Sequence, residues 1–376
     1  MSKMNKTGFA RSIAAIGALA LATTALVTPV AAQPVPDDLT VMPPVPTDYQ
    51  PARTPWGDPD LRGMWPIDNI ASLPMNRPAQ FGNRFWLTEE EYAARQAQYN
   101  ASDARYAAEE ESGTIGMGHW VESDSSGRRT NLLVSPANGQ LPAMTPAAQA
   151  RYQAGRSSWT PNTQFNWVSD FDTWDRCVTR GFPASMFPFR YNNGIQVLQS
   201  PGYVVINLEM IHDARIIPIV SGPEAVAARR WPANVRTWMG QSIGYWEGNT
   251  LVIETTNIIA GDSVPQNAYE RGPSPLNMAT LGVPPFNTIP TSLQAKVVER
   301  LTMTGPDSII YELTYDDPEV FTAPWTARLD WSRNDDYSFF EYACHEGNVQ
   351  IRNYITASRA GLQPVRETEG GDGGAH

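Results

Sequence analysis

The chain has 376 residues, of which 41% are hydrophobic and 18% charged, and its net charge is −11. That length suffices for one large domain or two modest ones, and an acidic surface lacks the basic footprint that nucleic acid or anionic lipid requires. Two cysteines and four histidines restrict the ways in which a metal could be held.

Residues 1–32 read as a signal peptide. Lys3, Lys6 and Arg11 form a basic start, residues 12–27 are rich in Ala and Leu, and Ala31-Ala32 supply small residues for cleavage. The apolar run is short for a membrane-spanning helix, and no later stretch approaches about 18 uninterrupted apolar residues. The mature chain is therefore expected in a periplasm or outside the cell, with no membrane insertion after cleavage. Removing the leader takes the net charge from −11 to about −14.

Residues 33–87 are expected to form an extended arm. Prolines at 34, 36, 43, 44, 46, 51, 55 and 59 deny donors to a helix or a ladder, and Trp56 and Trp65 are suited to pin the arm down. Residues 88–189 are expected to be a helical and loop cover. Thr88 followed by Glu91 makes a capping box that starts a helix running to about Glu110. A second, short helix begins at Thr145-Pro146 and covers 147–154.

From residue 190 to 358 the pattern changes to period two. Strands are predicted at 195–199, 203–211, 215–220, 244–246, 251–257, 296–303, 308–315, 326–332 and 337–344, joined by turns such as Ser200-Pro201-Gly202, Glu247-Gly248-Asn249 and Gly305-Pro306-Asp307. An antiparallel meander of this length predicts a mainly β fold closing into a lipocalin-like barrel, because closure removes exposed edges. The many aromatic residues would then either fill the core or line a small-molecule cavity. The Gly-rich tail, 359–376, is expected to be disordered.

No Gly-rich phosphate loop, His-Glu-x-x-His, Cys-x-x-Cys or Gly-x-Ser-x-Gly occurs, so no nucleotide cofactor or standard hydrolase site is expected. Chemistry is sought instead in two polar clusters. In Glu209-Met210-Ile211-His212-Asp213, His212 sits at a strand end where Asp213 could fix its tautomer and Arg215 could neutralise a carboxylate. In Cys344-His345-Glu346-Gly347-Asn348, pairing of Cys344 with Cys177, expected in an oxidising compartment, would bring Arg176 or Arg180 near His345 and Glu346. Histidine, carboxylate and arginine together suit an acid–base pair with an anion stabiliser. Glu254, Glu299 and Glu312 lie within strand sequences and are either inward acids of raised pKa or solvated. His212, His345, Glu209 and Glu346 could hold a metal by ligand type, though nothing in their spacing requires one; His119 is a further candidate.

Six stretches carry a resemblance: Thr54-Pro55-Trp56-Gly57-Asp58-Pro59-Asp60-Leu61, Arg176-Cys177-Val178-Thr179-Arg180-Gly181, Tyr191-Asn192-Asn193, His212-Asp213-Ala214-Arg215-Ile216-Ile217-Pro218, Trp246-Glu247-Gly248-Asn249-Thr250-Leu251-Val252 and Tyr342-Ala343-Cys344-His345-Glu346-Gly347-Asn348. Together they resemble a widespread family of secreted bacterial proteins to which no activity is assigned. The resemblance transfers no catalytic residue. It implies a catabolic setting, since such proteins are common in bacteria that consume plant-derived or aromatic compounds.

The expected function is a cofactor-independent lyase, isomerase or hydrolase acting on a small apolar or aromatic molecule. His212 or His345 would be the base, Glu346, Glu209 or Glu254 the acid, and Arg180 or Arg215 the stabiliser of negative charge. A lipocalin-like binding protein without catalysis, and a structural envelope protein, are the alternatives.

Overall fold

Strands of alternating burial dominate the computed structural model, which describes residues 35–113, 127–154, 158, 164–261, 274–276 and 288–360. The expected signal peptide, His119 and the tail beyond residue 360 lie outside the described residues. Among the described residues, ten strands form two antiparallel sheets. The first sheet has the order β1 (Gly63–Met64), β3 (Ile195–Ser200), β4 (Tyr203–Leu208), β5 (Ala214–Pro218). The second has the order β2 (Leu133–Ser135), β10 (Trp325–Ser332), β9 (Ser308–Asp316), β8 (Lys296–Gly305), β7 (Thr250–Thr256), β6 (Gln241–Glu247).

Period-two patterning decides which side chains enter the core. On β8, Val297, Glu299 and Leu301 are buried while Val298 and Arg300 are only partly so. On β9, Ile309, Tyr311, Leu313 and Tyr315 point inward with them into one core shared by both sheets. Trp65, Trp325, Trp331, Tyr311, Tyr315, Phe182 and Phe187 are essentially fully buried. Tyr311 stacks on Trp331 at 4.7 Å and Tyr315 on Trp325 at 5.2 Å. Each such ring contributes on the order of 2–3 kcal/mol through burial. The aromatics therefore fill the core between the sheets. Trp65 lies in that core, whereas Trp56 is only partly buried and its indole N–H donates to Asp58 Oδ2 at 2.9 Å.

No closed barrel is detected among the described residues, in contrast to the expectation from the meander. The end of β5 meets β6 only at one point, where Val220 N–H donates to Gly244 O at 2.8 Å. The approach is close: a Cβ on residue 244 would lie 2.8 Å from Ile219 Cδ1 and 3.2 Å from Ile217 Cγ2, so those side chains would have to shift. Residues 337–344 are also not a strand. β10 already pairs with β9 on one side and β2 on the other, so residues 337–344 cannot extend the meander next to it, and they run as an irregular strap past Gly194 and Glu209 at one end of the β3–β4 hairpin.

The described residues include four α-helices: α1 (Glu89–Ser112), α2 (Pro146–Ala154), α3 (Pro223–Arg229) and α4 (Val349–Arg359). The capping box forms as expected, with Thr88 N–H donating to Glu91 Oε2 at 2.8 Å and Glu91 N–H to Thr88 Oγ1 at 3.2 Å. α3 covers the outer face of the second sheet, packing Val226 on Ile243, Tyr245 and Val252. No helix among the described residues is long and apolar enough to cross a membrane. Cys177 and Cys344 form a disulfide, which is compatible with an extracytoplasmic location.

Candidate active site around Arg180

Residues 171–193 are largely buried yet form no strand, and they carry the polar groups of the site. The disulfide ties Cys177 to Cys344 at the end of the 337–344 strap. Asn348 Nδ2 donates to Cys177 Sγ at 3.1 Å. The strap is held a second time by Glu209, which is completely buried. Its Oε1 accepts from Asn192 Nδ2 at 3.0 Å and Phe340 N–H at 2.9 Å, and its Oε2 from Gly194 N–H at 2.9 Å and Tyr337 Oη at 2.6 Å. Four donors occupy this carboxylate, and a Cβ on residue 194 would sit 2.6 Å from Oε2. Glu209 thus fastens the strap, and its lone pairs are already engaged.

Arg180 lies under the strap, 6% exposed. Its Nη1 donates to Phe187 O at 3.2 Å, while Nε and Nη2 are buried without a hydrogen-bond partner. Its guanidinium lies 5.5 Å from the Trp174 ring centroid and 5.4 Å from that of Phe189. Phe189 in turn meets Trp174 and Tyr191 edge-on at 4.8 Å. Desolvation lowers the Arg180 pKa to about 10, partly offset by Tyr342, Tyr191 and Asp213, so the cation persists at neutral pH. Arg180 and Glu209 both line a chamber of about 10 Å³, about the size of one water molecule.

Asp213 adjoins this cation. Burial raises its pKa to about 6, against the opposing hydrogen bond from Thr179 and the charges of Arg180 and His212. The Thr179 hydroxyl donates to Asp213 Oδ2 at 2.9 Å. Tyr191 is pushed up to about 12, first by burial and then by Tyr342, with which it is hydrogen-bonded. A cation with open donors, a carboxyl that titrates near neutrality and two phenols can bind an oxyanion and move a proton.

The turn that presents Asp213 is strained. Ile211 and His212 have φ of 63° and 58°, the left-handed region that Asn and Gly usually occupy in two-residue hairpin turns. For a β-branched residue this is an outlier costing about 1–3 kcal/mol. Cys177 (φ 56°) and Asn192 (φ 54°) share that region, so four of the five described non-glycine residues with positive φ belong to the segments that build this site.

The sequence-predicted residues separate into several groups. Arg180, Asp213 and His212 come together, with the His212 side chain exposed. His345 and Glu346 are exposed just beyond the disulfide. Arg215 lies in the core between the sheets, where Nη1 donates to Glu299 Oε1 at 2.8 Å and Nη2 to Glu299 Oε2. Glu254 faces outward and pairs with Arg230 at 2.7 Å and Lys296 at 2.8 Å; Glu312 pairs with Arg328. Among the described residues, no group of three or more His, Cys, Asp or Glu is placed to hold a metal ion, so His212, His345, Glu209 and Glu346 do not assemble into one. Tyr191 and Tyr342 stand in the stretches that carry the resemblance, with no role assigned to them, and Trp174 and Phe189 are not singled out by the sequence patterns. The signal for them is the interleaving of aromatics with arginine in Trp174-Asp175-Arg176 and Phe187-Pro188-Phe189-Arg190-Tyr191. In comparisons with known proteins, the chain matches no family model, no curated protein and no solved structure.

Proposed function

We propose that this protein is an extracytoplasmic, cofactor-independent enzyme that moves a proton on a small, largely apolar or aromatic molecule carrying an anionic group. The supporting observation is the buried Arg180 guanidinium, with two N–H positions unmatched by the protein, beside Asp213 with its pKa near 6. Burying a cation with unmet donors is costly, and that cost is recovered when a carboxylate or enolate oxygen of a substrate meets those donors.

In this reading the Asp213 carboxylate takes a proton from a carbon next to the anionic group. The electron pair left on the substrate delocalises onto its oxygen, facing Arg180 and the Tyr191–Tyr342 phenols. The proton is then returned to the same or a conjugated carbon, as in an isomerase; in a lyase the electron pair instead expels a leaving group from the adjacent carbon. His212, exposed beside Asp213, exchanges protons with solvent. Trp174 and Phe189 present aromatic faces to an apolar substrate body. Entry requires the 337–344 strap to lift, because the chamber at Arg180 admits little more than a water.

The test is solvent deuterium exchange, read by proton NMR, for a mixture of phenylacetate, mandelate and phenylpyruvate in D₂O. The native protein is expected to incorporate deuterium into at least one of them. Asp213→Asn and Arg180→Met, with unchanged circular dichroism, should slow that exchange by about 100-fold or more. Equal rates in the variants, or no exchange of any probe, would defeat this reading. Binding of the probes without exchange would support the lipocalin-like binding role instead.

A further inference from the structure

A second site, separate from the Arg180 chamber, lies where α4 packs near residues 166–176. A cleft of about 460 Å³ is lined by Val168, Arg176, Asn348, Ile351, Arg352, Ile355, Thr356 and Arg359. Its volume is within the range of small-molecule pockets, roughly 300–1,000 Å³. Its lining divides in two. Val168, Ile351 and Ile355 give an apolar surface, with Ile351 and Ile355 one helical turn apart on the same face of α4. Arg176, Arg352 and Arg359 give three cations and no lining carboxylate.

The charge is notable against the whole chain, whose net charge of −11 repels anions. Arg176 is half-buried, and its Nε and Nη2 have no hydrogen-bond partner. Burial lowers its pKa, partly offset by the charges of Asp172 and Asp175, which also accept from Ser158: its N–H meets Asp172 Oδ1 at 3.3 Å and its hydroxyl bonds Asp175 Oδ2. Arg359 is held in place by Nε and Nη2 donating to Asn166 O at 3.1 and 2.6 Å. Its guanidinium rests 5.7 Å from the centroid of Trp167, which is 63% exposed. Arg352 is exposed on α4. The N-terminal end of α4, at Asn348, adds the positive end of a helix dipole to the same cleft.

We propose that this cleft is a binding site for a small amphipathic carboxylate, its anionic head held by Arg176 and Arg352 and its apolar body laid on Ile351, Ile355 and Val168. Neither half of the lining suffices for other ligand classes. A bare inorganic anion would leave the apolar surface unused, and a neutral apolar molecule would make no use of the three guanidinium groups in the lining.

The test is isothermal titration calorimetry of the full chain with 2-naphthoate and, separately, octanoate. The neutral isostere 2-naphthalenemethanol and sodium sulfate serve as controls. Saturable binding of at least one carboxylate is expected, weakened tenfold or more by Arg352→Gln and by Arg176→Gln, and at least tenfold tighter than either control. Arg352 is exposed, so Arg352→Gln remains informative if Arg176→Gln misfolds. Arg180→Met should leave this binding unchanged, which separates the cleft from the Arg180 chamber. Absence of binding of both carboxylates, equal affinity in Arg352→Gln, or equal affinity for the neutral isostere would overturn the proposal.

Discussion

Two buried arginines, Arg215 and Arg180, occupy opposite positions in the logic of this fold. Arg215 meets both oxygens of Glu299, the Ser242 hydroxyl at 3.0 Å and the Thr255 hydroxyl at 3.3 Å, while Tyr311 Oη donates to Glu299 Oε1 at 2.6 Å. Its guanidinium also lies 4.4 Å from the Phe182 ring centroid. Desolvation alone would lower its pKa, but the Glu299 charge and hydrogen bonds outweigh it and raise the value. The pair joins β5 of one sheet to β8 of the other. Arg180 is nearly as buried, makes one hydrogen bond to protein and has its pKa lowered. Burial is common to both, so burial alone does not mark a functional residue. What separates them is how far the surrounding groups satisfy the charge. Arg215 fits a structural role, and Arg180 fits a role completed by a ligand.

The largest effect should come from breaking the satisfied site. Glu299→Ala leaves Arg215 charged and unpaired in the core, and should lower the unfolding free energy by about 3–5 kcal/mol in urea titration. A loss below about 1 kcal/mol would mean that the pair contributes little and that the contrast with Arg180 is weaker than drawn here.

A smaller effect concerns pH. Asp213 binds its proton more tightly folded (pKa about 6) than unfolded (3.8). The stability it contributes is full below pH 3.8 and is lost as pH rises through about 6. Glu91, lowered to about 2, mainly by Arg84, has the opposite dependence at lower pH, gaining stability as pH rises from about 2 to 4.5. Subtracting the profile of Asp213→Asn from that of the native protein isolates the first group. The difference should shift against the native protein by about 2–3 kcal/mol between pH 4 and 7. A flat difference would place Asp213 in ordinary solvent and remove it from the site.

Much of the fold was legible from local patterning, because burial on one face imposes period two. Val297, Glu299 and Leu301 are a clear case, as is the Thr88–Glu91 box. Pairing of Cys177 with Cys344 followed from there being two cysteines in a chain read as exported. The 337–344 strap was not legible. Its aromatic, strand-like sequence suits a ladder, yet its backbone and Tyr337 are fastened to Glu209, a partner far away in sequence. Likewise, nothing local distinguishes Glu299, inward and paired with Arg215, from Glu254, outward and paired with Arg230 and Lys296. α4 escaped the pattern reading because Asn348, its first flanking residue, makes no side-chain cap bond and donates to Cys177 Sγ instead. The candidate site was half legible: Arg180, His212 and Asp213 were named from sequence, whereas the aromatic walls depend on long-range packing.

The central claim is that Arg180 is retained for a ligand and not for stability. Urea unfolding of Arg180→Met, run beside the deuterium-exchange assay, tests it most directly. The account predicts an unfolding free energy within about 1 kcal/mol of native, since the variant removes a poorly satisfied buried charge, together with loss of exchange. A destabilisation of about 3 kcal/mol or more with exchange intact would contradict it, and would make Arg180 a structural cation like Arg215.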